Sequence, residues 1–248
     1  MALIYKVKFY TVQLISDSLW LYLHNGNFST SLKLIVFRYK HLFLNKFRNK
    51  VSSNSHITQY PTKFSADWFT SKSLNWDYYL KFSNTDLIAL EIGSFEGKAT
   101  LYMLNRFPGI QITCVDPWQD YSELPFEVGF GSTSKNNFEK NIEPFKKSIN
   151  QRTMTSDQFF FELKQTQKYD LIYIDGSHEG TAVYNDAINA HQVIKNLGII
   201  IFDDYLWRYF RKEKATAFGI NKFLKQYKKY YKIKFIGHQV ILQRNFLI

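Results

Sequence analysis

At 248 residues, with 45% hydrophobic and 18% aromatic content, the chain can bury a substantial core and is too apolar for a disordered polymer. A single cysteine, Cys114, excludes an internal disulfide framework and points to a reducing, cytoplasmic setting. The net charge of +11 is concentrated in the two ends, while residues 91–204 are net acidic; basic ends of this kind meet nucleic acid, an anionic membrane surface or an anionic substrate, or are simply solvated.

Residues 1–50 read as two helices parted by the turn His24-Asn25-Gly26-Asn27. The longest apolar pattern there, Thr11 to Leu23, is interrupted by Asp17 and falls short of the roughly 20 apolar residues of a spanning helix. It also lacks a small-residue cleavage site, so no export signal is read. In the second helix Leu32, Ile35, Val36, Tyr39, Leu42, Phe43 and Phe47 recur at helical spacing, with Lys33, Lys40, Lys46, Arg48 and Lys50 on the other side. Such a stripe packs against a core or lies peripherally on a membrane; packing is the favoured reading. Val51 to Pro61, rich in Ser and Asn, is the expected linker. Beyond it, Phe64, Trp68, Phe69, Leu74, Trp76, Tyr78 and Tyr79 either line a substrate mouth or fix the N-terminal helices.

From Leu87 the chain alternates strand and helix. Leu87 to Ile92 is a nearly continuous apolar run, as a parallel strand covered on both faces requires, with Glu91 the exception. Gly93 and Gly97 bracket the following turn, where the absence of a Cβ permits close backbone approach. A dinucleotide fingerprint would want glycine at Phe95. A helix from about Glu96 to Arg106 leads to a strand, Gln111 to Val115, ending in Asp116. That carboxylate lies 23 residues beyond Gly93, the separation at which an acid reaches ribose hydroxyls. Ordinary strand-end punctuation is the alternative reading.

Pro117 to Ser134 is a long irregular stretch, of a length usually found in functional loops. A helix from about Thr133 to Ser148, a short strand near Arg152, and Met154-Thr-Ser-Asp157 opening another helix follow, with Asp157 a suitable cap. The strand Leu171 to Ile174 then ends at Asp175, a helix covers about Gly180 to Lys195, and Gly198 marks a turn. The strand Ile199 to Phe202 ends at Asp203-Asp204. Asp175, Asp203 and Asp204 thus reach one rim of the sheet, with His178 on the loop beside them. Clustered carboxylates need a cation or protons, and hard oxygen donors suit Mg²⁺, Mn²⁺ or Ca²⁺; helix capping and loop ordering are the plainer roles. His178 has the proton affinity of a general base near neutrality. A helix around Phe218 to Tyr227 and strands Tyr231 to Ile236 and Gln239 to Gln243 complete the chain.

The run Glu91-Ile-Gly-Ser-Phe-Glu-Gly97 with Val115-Asp116 resembles the first two motifs of class I S-adenosylmethionine-dependent methyltransferases. Asp-Gly-x-His from Asp175 and the Asp203-Asp204 pair are similar to the branch whose members often methylate hydroxyls of small molecules or sugars. Catechol O-methyltransferase is a looser likeness, its metal ligands matching Asp175, Asp203 and Asp204 except that the last is asparagine there.

The resemblance covers roughly residues 86–244. It implies an α/β, Rossmann-like, seven-stranded, mostly parallel sheet with helices on both faces and the last strand antiparallel. The methyltransferase domain would span residues 83–248, behind an N-terminal helical, aromatic and basic extension of residues 1–82. It further implies S-adenosylmethionine along Glu91, Gly93, Ser94, Phe95, Gly97, Asp116, Ser156, Asp157 and Asp175. Catalysis would fall to His178 and Asp175, with Mg²⁺ or another divalent ion on Asp175, Asp203 and Asp204. The expected activity is O-methylation of a small-molecule or glycan acceptor. No base-methylation run such as Asn-Pro-Pro-Tyr is present, which argues against a nucleic-acid substrate; a non-catalytic scaffold and a homo-oligomer stay open.

Overall fold

Seven strands form one sheet in the order β3-β2-β1-β4-β5-β7-β6. The computed structural model describes residues 32–37, 62–83, 86–119, 131–164, 166–207 and 215–246, together with residues 15 and 19. The expected turn at residues 24–27, the linker at residues 51–61 and the middle of the Pro117–Ser134 loop lie outside the described residues, as does most of the N-terminal helical pattern.

In chain order the elements are α1 (Thr70–Tyr79), β1 (Ile88–Ile92), α2 (Lys98–Arg106), β2 (Gln111–Val115), α3 (Gly131–Ile142), β3 (Ile149–Arg152) and α4 (Ser156–Glu162). They continue with β4 (Tyr169–Ile174), α5 (Gly180–Val193), β5 (Ile194–Phe202), α6 (Thr216–Tyr227), β6 (Tyr231–Ile236) and β7 (Val240–Arg244). Strands β1 to β5 pair in parallel, and β7 runs antiparallel between β5 and β6. This is the expected doubly wound sheet with an antiparallel last strand. No described helix is long and apolar enough to cross a membrane.

The near-continuous apolar runs of the central strands follow from burial on both faces, with successive residues pointing opposite ways. Leu90, Ile92, Ile172, Ile174, Ile200 and Phe202 enter one core with α5 and α6. Ala89, Leu171, Tyr173, Ile199 and Ile201 enter the other with α1 and α2. Leu34, in the helical stretch 32–37, is wholly buried in the first core, while Leu32 and Val36 are exposed. Trp76 of α1 is fully buried and meets Phe69, Tyr102 and Tyr173 edge-on, with ring centroids 4.9, 5.6 and 4.8 Å away. The aromatic stretch before β1 is therefore built into the sheet's own core.

Two local expectations change. The helix read as running to Ser148 ends at Ile142 and continues as a tight 3-10 turn over Glu143–Ser148, because Pro144 cannot supply an interior backbone donor. Gly198 lies within β5 rather than before it. Pairing advances from Tyr169–Ile194 to Leu171–Ile199, so β5 accommodates its extra residues in a bulge where Leu197 adopts φ 63°.

Candidate active site

The ends of β1 and β4 set the floor of the site. Gly93 has φ 84°, and a Cβ there would lie 2.1 Å from the carbonyl oxygen of Asp175, so no larger residue fits. The turn then carries Phe95 at φ 47° and Gly97 at φ 81°. It is held by Asp116, which accepts from the backbone N–H of Phe95 at 2.9 Å and of Trp118 at 2.7 Å. Trp118 closes the loop by donating its indole N–H to the Phe95 carbonyl at 2.8 Å. Burial raises the pKa of Asp116, against the pull of these N–H donors.

Around this turn opens a cavity of about 680 Å³, lined by Gly93, Phe95, Asp116, Ser156, Asp157, Asp175, His178 and Asp204 among others. Eight of the residues expected at the site thus share one space. Glu91, Ser94 and Gly97 do not line it. Glu91 lies behind the turn, where the hydroxyls of Ser94 (2.9 Å) and Thr100 donate to one of its oxygens; burial lifts its pKa to about 7. Gly97 packs against Phe138. Asp157 is not the cap of α4: Thr155 is, accepting from the Gln158 N–H while the Gln158 side chain accepts from Thr155, a reciprocal capping box.

At the acidic rim the three carboxylates separate. Asp203 is buried, and its oxygens meet the Lys72 ammonium (2.7 Å), the Gln239 amide (3.0 Å), the Asp204 backbone N–H (2.7 Å) and the Tyr173 hydroxyl. That hydroxyl also contacts Asp175 at 2.6 Å. With one proton, that hydroxyl donates to one carboxylate at a time. Burial and the neighbouring Asp203 push the pKa of Asp175 well above the usual carboxylate range.

Asp204, at φ 51°, turns instead toward the cavity, with an oxygen 2.9 Å from Nε2 of His178. Burial works to raise its pKa, but the His178 hydrogen bond and the Lys72 charge prevail and hold it below the ordinary range. His178 is stacked on Trp207, centroids 4.8 Å apart. The expected set Asp175, Asp203, Asp204 is therefore not one ligand cage. Asp175, His178 and Asp204 can each offer a ligand atom within 4.8 Å of one another, but the Lys72 ammonium is 3.8 Å from Asp204. A divalent ion fits poorly beside a fixed positive charge already matched to these acids.

The sequence reading did not single out Lys72, or Trp207 at the rim. Trp68, read among aromatics that could line a substrate mouth, does line the cavity and stacks on Phe95 at 5.0 Å. Glu96 was also missed: it accepts from the Ser65 N–H at 2.6 Å and from Asn137 at 2.7 Å, pinning the segment before α1 to the glycine turn.

Residues 90–205 match a family model described as a methyltransferase domain. A presumed O-methyltransferase from Klebsiella pneumoniae is 13% identical, with 88% of this chain and 99% of that one covered at a TM-score of 0.53. A protein from Corynebacterium glutamicum is 14% identical over 86% of this chain and 99% of its own, also at 0.53. A precorrin-6y C5,15-methyltransferase from Geobacter metallireducens is 13% identical, covering 77% and 96%, at 0.53. At these identities the likeness establishes the fold. No curated protein matches by sequence.

Proposed function

We propose that the chain, whose residues 90–205 match a model described as a methyltransferase domain, is a class I S-adenosylmethionine-dependent methyltransferase that methylates a hydroxyl group on a small molecule or sugar. The observation that carries this reading is the His178–Asp204 pair, 2.9 Å apart on the wall of the cavity that Asp116 and the glycine turn also line. S-adenosylmethionine supplies an electrophilic methyl on a sulfonium, a leaving group that needs no protonation. What the protein must add is alignment and removal of the acceptor's proton.

Asp116 would receive the ribose hydroxyls on the accepting directions its carboxylate keeps beyond the turn N–H groups. Ser156 and Asp157, at the start of α4, line the same space and would face the adenine. With Nε2 of His178 against Asp204, the imidazole is the group assigned to take the acceptor proton. Asp204 stabilises the imidazolium as it forms. The acceptor oxygen would take the methyl as the C–S bond gives its electron pair back to sulfur, and the acceptor's proton would pass to His178. Trp68 and Trp207 flank the cavity and present flat apolar faces suited to a sugar or aromatic ring. Calorimetry with S-adenosylhomocysteine tests the premise: micromolar binding by the wild type, lost in Asp116→Ala, supports it, and a folded wild type that does not bind sinks it.

A further inference from the structure

The geometry points to Lys72 as a positioning residue, the resident cation of the acidic rim, standing where a divalent ion would otherwise balance Asp203 and Asp204. This rests on the reading of the rim as the acceptor side of a methyltransferase site. Lys72 comes from α1, outside residues 90–205 that match the domain model. Its ammonium lies 2.7 Å from one oxygen of Asp203 and 3.8 Å from Asp204, with most of its side chain buried.

Its placement is constructed rather than incidental. One turn further along α1, the indole N–H of Trp76 donates to Gln239 at 3.0 Å, and the Gln239 amide donates to the other oxygen of Asp203 at 3.0 Å. Lys72 directly, and Trp76 through Gln239, thus engage opposite oxygens of one buried carboxylate, and Trp76 fixes the register that delivers the lysine. Burial opposes the charge on Lys72, but Asp203, Asp175 and Asp204 together hold it firmly protonated. The cation in turn leaves Asp204 ionised and available to His178. A divalent ion at Asp175, His178 and Asp204 would have to share that space with the ammonium.

The test is binding of Mn²⁺ alone, followed by electron paramagnetic resonance and calorimetry on the full chain. The wild type and Lys72→Arg, which keeps the charge, are expected to bind Mn²⁺ only weakly. Lys72→Met leaves the acids uncompensated and is expected to bind it about tenfold more tightly or better. If that variant does not fold, the double variant Lys72→Met/Asp203→Asn removes one charge of each sign and leaves the three potential ligands intact, with the same gain expected. Mn²⁺ affinity that is equal in wild type and Met variant, or a gain shared by Lys72→Arg, overturns the assignment. S-adenosylhomocysteine binding is measured on the same samples. Its loss from the wild type would defeat the methyltransferase reading, whereas its retention with unchanged Mn²⁺ affinity defeats only the role of Lys72.

Discussion

Gly93 and Asp175 hold the ends of β1 and β4 in direct backbone contact: a Cβ on the first would stand 2.1 Å from the carbonyl oxygen of the second. The contact sets the spacing between the glycine turn and the acidic rim, because Asp175 opens the loop that carries His178.

Gly93→Ala should therefore be severe. The new methyl overlaps backbone that cannot swing aside, and alanine at φ 84° is itself strained by about 1–2 kcal/mol. A loss of about 3 kcal/mol or more is expected from urea unfolding midpoints, together with loss of S-adenosylhomocysteine binding. Gly97→Ala meets side chains rather than backbone, the Phe138 ring at 2.9 Å and Ile142 at 3.5 Å. Its cost should be roughly half as large, and equal costs would show that strain at positive φ, rather than the β1–β4 contact, governs the turn.

Asp204→Asn should leave S-adenosylhomocysteine binding within about threefold of wild type while lowering kcat for methyl transfer about 10²- to 10⁴-fold. The amide can still meet Nε2 but neither fixes the tautomer nor stabilises the imidazolium. Removing the carboxylate lowers the proton affinity of His178, so the rising limb of the pH–rate profile should move to lower pH. An unmoved limb would mean that His178 is not the base.

The glycine turn, Asp116 and the central strands were legible because they depend on local chemistry: positive φ at a turn, an acid at a strand end, apolar runs between. Lys72 was not. Its role arises where α1 packs on the sheet and meets Asp203, more than a hundred residues later, and nothing in Thr70–Tyr79 distinguishes that lysine from a solvated one. Asp203 and Asp204 were grouped because they follow one strand in succession; the positive φ of Asp204, 51°, which turns it toward His178 while Asp203 stays with Gln239 and Tyr173, has no signature in the sequence. Trp207 and the bulge at Leu197 depend on tertiary pairing and carry no local signature.

Asp116→Ala removes the acceptor shared by the Phe95 and Trp118 N–H groups as well as the expected ribose contact. Hydrogen bonds to a charged acceptor contribute about 1.5–3 kcal/mol each, so S-adenosylhomocysteine affinity should fall about 10²-fold or more by calorimetry. Freed from this anchor, the Trp118 indole should become more solvated, shifting tryptophan emission to longer wavelength in the unliganded protein. Weakened binding without that shift would assign Asp116 to the ligand alone.

Glu91 offers a test of the turn's foundation through pH. It is buried, one oxygen takes the Ser94 and Thr100 hydroxyls, and the other has no hydrogen-bond partner. Burial is the dominant influence, lifting its pKa from 4.5 to about 7. Because the folded value lies above the unfolded one, the native state binds the proton more tightly. The associated stability is complete below about pH 4.5, declines as pH rises, and is lost above about pH 7. The span corresponds to roughly 3 kcal/mol as an upper figure. Glu91→Gln keeps the shape and a carbonyl acceptor for the two hydroxyls but cannot ionise. Other groups also titrate in this range, Asp186 among them with its pKa near 7, so the comparison must be between variant and wild type. The difference in urea midpoint, variant minus wild type, should grow in the variant's favour from pH 5 to pH 8. A difference that stays constant across that range would mean Glu91 remains ionised throughout, stabilised by the hydroxyls rather than by a proton.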